Sequence, residues 1–185
     1  MAFWSDPTAA DPKRQYRWTI TFGANTSGIG SMTYALKKVD KPKAKIGSVQ
    51  HKYLNHFFNY PGRLEWEDIN MTFASITAPD ATNLINNVLT KAGYFLPQNN
   101  VAPAGLATIS KRKFNSALGT SFYISQLDAN GNEIEQWEIG NPFFTSVQFG
   151  ALDYANEEIV EITTIVKYDY AKLISVLAPN DNAAP

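Results

Sequence analysis

The chain has no cysteine, only two histidines and only three methionines among its 185 residues. Without thiols there is neither a disulfide framework nor a thiolate metal site. The two histidines, His51 and His56, have no carboxylate cluster at ligand spacing, so they are expected at a surface or an interface and not around a metal. Charge is also scarce: Asp, Glu, Lys and Arg make up 18% of the chain, against about 25% in an average soluble domain. A surface poor in charge suits burial against a partner. No apolar run approaches the length that spans a bilayer. The start, Met1-Ala-Phe-Trp-Ser-Asp-Pro, lacks the basic region and apolar stretch of a signal peptide, so neither secretion nor a membrane anchor is expected. There is no Gly-x-Ser-x-Gly elbow, no P-loop and no His-Glu-x-x-His.

What the chain does have is apolar and aromatic mass. Hydrophobic residues reach 44% and aromatics 13%, enough for the core of one domain of this length. The expected organisation is an N-terminal arm over 1–14, a single domain over 15–173 and a flexible tail over 174–185, where Ala, Asn, Pro and Asp dominate. Net charge is −1 overall. Through Arg63, however, the chain carries ten basic residues and three acids, a balance of +7, which leaves −8 for the remainder. Such asymmetry suits opposite patches that meet on neighbouring subunits.

Strand patterning dominates. Gln15 to Phe22 alternates strictly, with Tyr16, Trp18, Ile20 and Phe22 on one face. Ala44–Leu54 and Leu64–Ser75 also read as strands; in the latter Ile69, Met71 and Phe73 share a face, and Asp68, Asn70 and Thr72 share the other. Ser121–Leu127 and Ile134–Ile139 flank Asp128-Ala129-Asn130-Gly131, whose Asn-Gly step predicts a hairpin. Phe143–Phe149 follows, then a long strand over Glu158–Tyr170 with Val160, Ile162, Thr164, Val166, Tyr168 and Tyr170 on one face. One amphipathic helix interrupts the strands, carried by Ala81, Leu84, Ile85, Val88, Leu89 and Ala92. Thr77 and Asp80 serve its start, Pro79 fits its first turn and Gly93 its stop. The fold class expected is mainly β: two packed antiparallel sheets, sandwich- or barrel-like, with one flanking α-helix.

Three patterns suggest chemistry and then fail. Phe22-Gly23-Ala24-Asn25-Thr26-Ser27-Gly28-Ile29-Gly30 resembles the nucleotide loop of short-chain dehydrogenases, and Tyr34 and Lys38 have that family's Tyr-x-x-x-Lys spacing. There is one residue too many between Gly23 and Gly28, Tyr34 lies too close to the loop, and the strand–helix alternation of a dinucleotide fold does not follow. The acids Glu65, Glu67 and Asp68, like Glu157, Glu158 and Glu161, are split between strand faces, which does not support paired acid/base work. Lys111-Arg112-Lys113 reads as a solvated loop sooner than a nucleic-acid contact. No enzyme activity and no cofactor are expected.

One stretch carries a resemblance. His51-Lys-Tyr-Leu-Asn-His-Phe-Phe-Asn-Tyr-Pro-Gly-Arg-Leu-Glu-Trp-Glu-Asp-Ile-Asn-Met-Thr-Phe leads through Ala78-Pro-Asp-Ala into the helix. It resembles the tail tube proteins of contractile-tailed, T-even-like bacteriophages, where an aromatic loop passes through Gly-Arg into a strand with Trp and acids. A second block agrees in order: Asn141-Pro-Phe-Phe-Thr-Ser-Val-Gln-Phe-Gly-Ala-Leu-Asp-Tyr, then Glu157 to Tyr170. Together the blocks cover most of residues 43–171.

The resemblance implies hexameric rings that stack into a hollow conduit for DNA ejection. It implies sheath outside, tape-measure protein inside, and baseplate and tail terminator at the ends. The place would be the phage tail of the virion, assembled in the host cytoplasm, with double-stranded DNA in non-specific passage. The aromatic segment is then expected to contact the next ring through Tyr53, Leu54, His56, Phe57, Phe58, Tyr60 and Arg63. Asp68, Asn70, Thr72, Glu161 and Thr163 are expected to face the lumen, which should be poor in lysine so as not to grip phosphate. Two rivals stay open: the inner tube of a related injection machine, bacteriocin or type VI-like, and a monomeric ligand-binding β-sandwich.

Overall fold

A computed structural model describes residues 13–23, 29–95 and 108–174. Most of the expected N-terminal arm, the glycine-rich stretch 24–28 and nearly all of the expected tail lie outside the described residues. In chain order the strands are β1 (Trp18–Phe22), β2 (Leu36–Val39), β3 (Lys43–Tyr53), β4 (His56–Glu67), β5 (Ile69–Ala74), β6 (Ser121–Leu127), β7 (Glu133–Gly140), β8 (Phe143–Gln148), β9 (Glu161–Lys167) and β10 (Tyr170–Ile174). Two helices, α1 (Ala81–Lys91) and α2 (Lys111–Leu118), lie between β5 and β6. All pairings are antiparallel. One sheet has the order β1-β6-β7-β10, a second β2-β5-β9-β8, and β3 with β4 forms a two-stranded ribbon of its own.

The two larger sheets and the helices share one core. Ile20, Phe122, Ile124 and Ile139 come from the first sheet, Ile69, Met71, Phe73, Ile162 and Val166 from the second. The predicted alternation of β5 is seen directly: Ile69, Met71 and Phe73 are buried while Asn70 is exposed. Helix α1 buries Ala81, Ile85 and Val88, as its apolar stripe requires. Asp80 caps it, its carboxylate accepting from Asn83 N–H at 3.2 Å. At the other end Gly93 N–H bonds Thr90 C=O and Tyr94 N–H bonds Leu89 C=O, the paired bonds of a Schellman stop. Gly93 holds φ +112, and a Cβ there would lie 2.3 Å from Thr108 O; only glycine fits.

The elements depart from expectation in five places. Strand β1 starts at Trp18, and Tyr16 is exposed, its ring beneath the Arg17 guanidinium at 5.4 Å. Pro79 precedes the Asp80 cap and so lies outside the first helical turn. The expected strand Leu64–Ser75 is broken at Asp68, so Glu67 ends the ribbon and Ile69 starts the second sheet. The expected strand Glu158–Tyr170 is likewise divided: β9 belongs to the second sheet, and Tyr170 opens β10 in the first. There it packs over Gly140, where any Cβ would meet its ring at 2.2 Å. The fifth departure is α2, with the basic island inside it. Ser110 caps the helix by accepting from Lys113 N–H at 3.3 Å. Lys111 pairs with Asp169, which also accepts from Asn141 Nδ2 at 2.9 Å. Phe114, Ala117 and Leu118 are buried, so the basic residues mark the polar side of a docked helix.

The β6–β7 hairpin forms as expected, by a different turn. Only Gly131 has positive φ there. Asp128 organises the loop, its carboxylate accepting from the N–H of Asn130 at 2.7 Å and of Asn132 at 2.8 Å, the bonding pattern of an Asx turn. Those bonds, led by Asn132, hold the Asp128 carboxyl below its usual range.

Candidate functional site

Ribbon β3–β4 is the unusual element. Every residue of β3 is exposed, and all of β4 is exposed except half-buried Trp66. At about 3.3 Å per residue, the eleven residues of β3 extend about 36 Å. Trp66 anchors the base, its ring 6.0 Å from that of Tyr168. Ala44 opposite Trp66 and Ile46 opposite Leu64 form an apolar base, flanked by Lys43 opposite Glu67 and Lys45 opposite Glu65. A bulge between Ile46 and Ser48 interrupts the ladder. Beyond it Val49 faces Tyr60, His51 faces Phe58, and Tyr53 faces His56. Directly opposed residues point to the same side, so both histidines lie among aromatic rings on one side of the distal ribbon. On the other side Lys52 faces Phe57, its ammonium 5.7 Å from the ring centroid.

The expected contact residues Tyr53, Leu54, His56, Phe57, Phe58, Tyr60 and Arg63 thus all sit on this ribbon, and all are exposed. Apart from Leu54 at the turn and Arg63 at the bulge, they form paired strand and not the expected aromatic loop. The chain reverses at Leu54-Asn55, with Leu54 at φ 52 and 87% exposed. A large side chain held in the left-handed region at an exposed tip is unfavourable by about 1 kcal/mol or more, a cost tolerated where the side chain has another use. Exposed Val49, Tyr53, Phe58 and Tyr60 on one side, with Leu54 at the tip and Phe57 on the other side, make the distal ribbon apolar in the way that marks an interaction site.

The expected lumen residues come together as well. In the β5–β9 register Asn70 is opposite Ile165, Thr72 opposite Thr163, and Ala74 opposite Glu161, so these residues share the face turned away from the core. Ser146 and Gln148 of β8 extend it beside Ile165 and Thr163. Asp68 lies at its end, 3.9 Å from Lys167. The face is not free of lysine. Lys37 pairs with Glu161, and Lys38 is opposite Thr72. The centre is neutral and polar, with charge of both signs at its margins. Asn70 Nδ2 donates to Asp40 at 3.0 Å.

A cleft between the sheets holds a well-connected carboxylate, Glu135, which the sequence did not single out. Glu135 accepts from Lys13, from Lys41 at 2.7 Å and from Trp137 Nε1 at 2.7 Å; Lys41 also donates to Gln126 at 2.6 Å. Partial burial pushes its carboxyl up, but the two ammonium groups and the indole N–H outweigh that and hold it at about 2. A folded-state value below the ordinary 4.5 gives a contribution that is complete above the ordinary value and lost as pH falls through about 2. Glu135→Gln should therefore cost about 1–2 kcal/mol at pH 7. Denaturant titrations should show this difference shrinking as the pH is lowered from neutrality toward the acid limit.

The dehydrogenase-like motif comes apart. Residues 24–28 of it lie outside the described residues, and the next described segment after β1 is a 3₁₀ stretch, Ile29–Ala35, not an α-helix. Tyr34 donates to Ala78 C=O at 3.1 Å, whereas Lys38 lies on β2. Among the described residues no three His, Asp or Glu side chains gather as a metal site, and no helix is long and apolar enough to cross a membrane.

No family model and no curated protein matches the chain. Solved structures do match. A chain of the tube-terminating cap of the anti-feeding prophage superposes with a TM-score of 0.62 at 15% identity, covering 95% of this chain and 100% of that one. A chain from the extended sheath–tube complex of an extracellular contractile injection system, PVC, gives 0.63 at 14%, covering 89% and 93%. One from the six-fold symmetrised baseplate of the anti-feeding prophage gives 0.65 at 13%, covering 91% and 99%. The chain therefore has the tube-protein fold of contractile injection systems.

Proposed function

We propose that the chain is a structural subunit that closes into six-membered rings, which stack into the inner tube of a contractile tail. The observation that carries this reading is the pair of surfaces that the described residues leave uncovered: the outward face of β2-β5-β9-β8 and the projecting ribbon. Strands β2 and β8 are the open edges of that sheet, and open edges invite pairing with another copy. A head-to-tail edge contact closes into a ring at the right rotation. Six copies of the four-stranded sheet would give a barrel of 24 strands. At about 4.8 Å between strands its circumference is about 115 Å and its backbone diameter roughly 37 Å, wider once the strands tilt.

Asn70, Thr72, Thr163, Ser146 and Gln148 would then line the centre of the lumen, with Asp68 and Glu161 and the lysines Lys37, Lys38 and Lys167 at its margins. Neutral polar groups neither hold nor release condensed counterions from a phosphate backbone, so the lining suits passage of double-stranded DNA. That supports a phage tail tube, carried in the virion after assembly in the host cytoplasm. Sheath outside, tape-measure protein within, and baseplate and terminator at the ends are its partners. The tube of a related injection machine is the second reading, favoured by the solved neighbours, which come from such machines.

Negative-stain microscopy and light scattering of the concentrated chain test the reading. Six-fold rings or hollow tubes of uniform width are expected. A chain that stays monomeric, alone and with a baseplate hub from the same genome, would instead support a ligand-binding sandwich.

A further inference from the structure

The ribbon and the acidic loop between β8 and β9 lie at opposite ends of one sheet. Val39, Ile69, Lys167 and Phe143 mark one end of β2-β5-β9-β8, as the pairs Val39–Met71, Ile69–Val166 and Phe143–Lys167 require. The ribbon leaves from that end, since β3 follows β2 and β4 runs directly into β5. At the other end, where Ala74 pairs with Glu161 and Gln148 with Thr163, residues 149–160 join β8 to β9.

The two surfaces are complementary. The ribbon's charged side chains from the bulge outward are Arg63, at the bulge, and Lys52, near the tip, with no acid between residues 46 and 64. Residues 149–160 carry Asp153, Glu157 and Glu158 and no base. Each surface also exposes apolar groups: Leu54, Phe57 and Tyr60 on one, Leu152, Tyr154 and Ile159 on the other, with Leu152 89% exposed. The loop has internal order: Asp153 accepts from Ala155 N–H at 3.0 Å and Asn156 from Glu158 N–H at 3.0 Å. It presents those groups as a shaped surface and not as a loose tether.

We infer that the ribbon of one copy docks on loop 149–160 of the copy stacked above or below it. Desolvated aromatics supply the attraction, and Lys52 and Arg63 against Asp153, Glu157 and Glu158 set the register. Because the surfaces sit at opposite ends of the sheet, the contact is head-to-tail and repeats without limit along an axis, while edge pairing closes each ring. This rests on the tube reading and adds the identity of the receiving surface.

The test is charge reversal in the full chain. Lys52→Glu with Arg63→Glu, or Glu157→Lys with Glu158→Lys, should each raise the concentration needed for tubes by about tenfold or more at low salt while rings persist. Mixing the two variants should restore tubes, because each reversed surface then meets its complement. Independently, a zero-length carbodiimide should link Lys52 of one parental copy to Asp153, Glu157 or Glu158 of another, read by mass spectrometry. Tubes that ignore both reversals and give no such link would overturn this inference and leave the tube reading standing. A chain that forms no rings, tubes or inter-copy links, alone and with the baseplate hub, would overturn both.

Discussion

Replacing Phe58 and Tyr60 together by serine should abolish stacked tubes and leave the fold of the subunit nearly untouched. The two rings sit on the distal ribbon, 49% and 57% exposed, opposite His51 and Val49. They support only their cross-strand neighbours, so the substitutions should cost the subunit up to about 1 kcal/mol, a fall in melting temperature within about 5 °C. The loss in assembly is much larger. An aromatic buried at a contact contributes about 2 kcal/mol or more, and each ring-to-ring contact would use every ribbon of a ring. Thermal melts and microscopy on the same preparation decide it. Tubes at the parental concentration would remove the ribbon from the stacking contact, and a collapse of the melt would mean that the ribbon belongs to the core after all.

Phe73→Ala should do the opposite. Phe73 is 0% exposed, one residue from the end of β5 and between Leu36 of β2 and Ile162 of β9 in the register. Truncating a buried phenylalanine costs about 3–5 kcal/mol, through lost burial and the cavity left behind. That is a large share of the 5–15 kcal/mol typical of a domain, and it should lower the melting temperature by roughly 10–15 °C. The urea midpoint should fall without a change in slope. Well below its melting point the variant should still close rings, because Phe73 faces inward. A loss below about 1 kcal/mol would show that β5 does not carry the core.

The contrast between these two phenylalanines also marks what the sequence could disclose. Local alternation was legible: Ile69, Met71 and Phe73 inward with Asn70 and Thr72 outward follows from period two alone, and so does the α1 stripe with its Asp80 cap and Gly93 stop. Strand breaks were not legible. Asp68 and Asp169 sit where the chain leaves one sheet for another, and a period-two pattern runs through such a corner without a gap. Most of β3 is legible as the strand Ala44–Leu54, but Tyr53–Tyr60 reads as an aromatic loop, because the reversal at Leu54-Asn55 lacks the glycine that normally announces a hairpin. Helix α2 was missed because its eight residues begin Lys-Arg-Lys and bury only Phe114, Ala117 and Leu118, too few turns for periodicity to stand out. The Glu135 cluster could not be seen at all, since Lys13, Lys41 and Glu135 are joined only by the pairing of β1 with β6 and of β6 with β7 and by the approach of the segment after β2. For the candidate surfaces, residue type pointed to the ribbon and the open face. Which end of the sheet each occupies required the register.

The absence of cysteine makes the most direct test of the account a clean one. Thr163→Cys places a single thiol on the outward face of β9, and a maleimide-linked heavy-atom cluster can mark it in assembled particles. Label density is expected inside the wall, near the axis of a hollow ring or tube. Density on the outer wall, in particles of the same width, would contradict the tube reading.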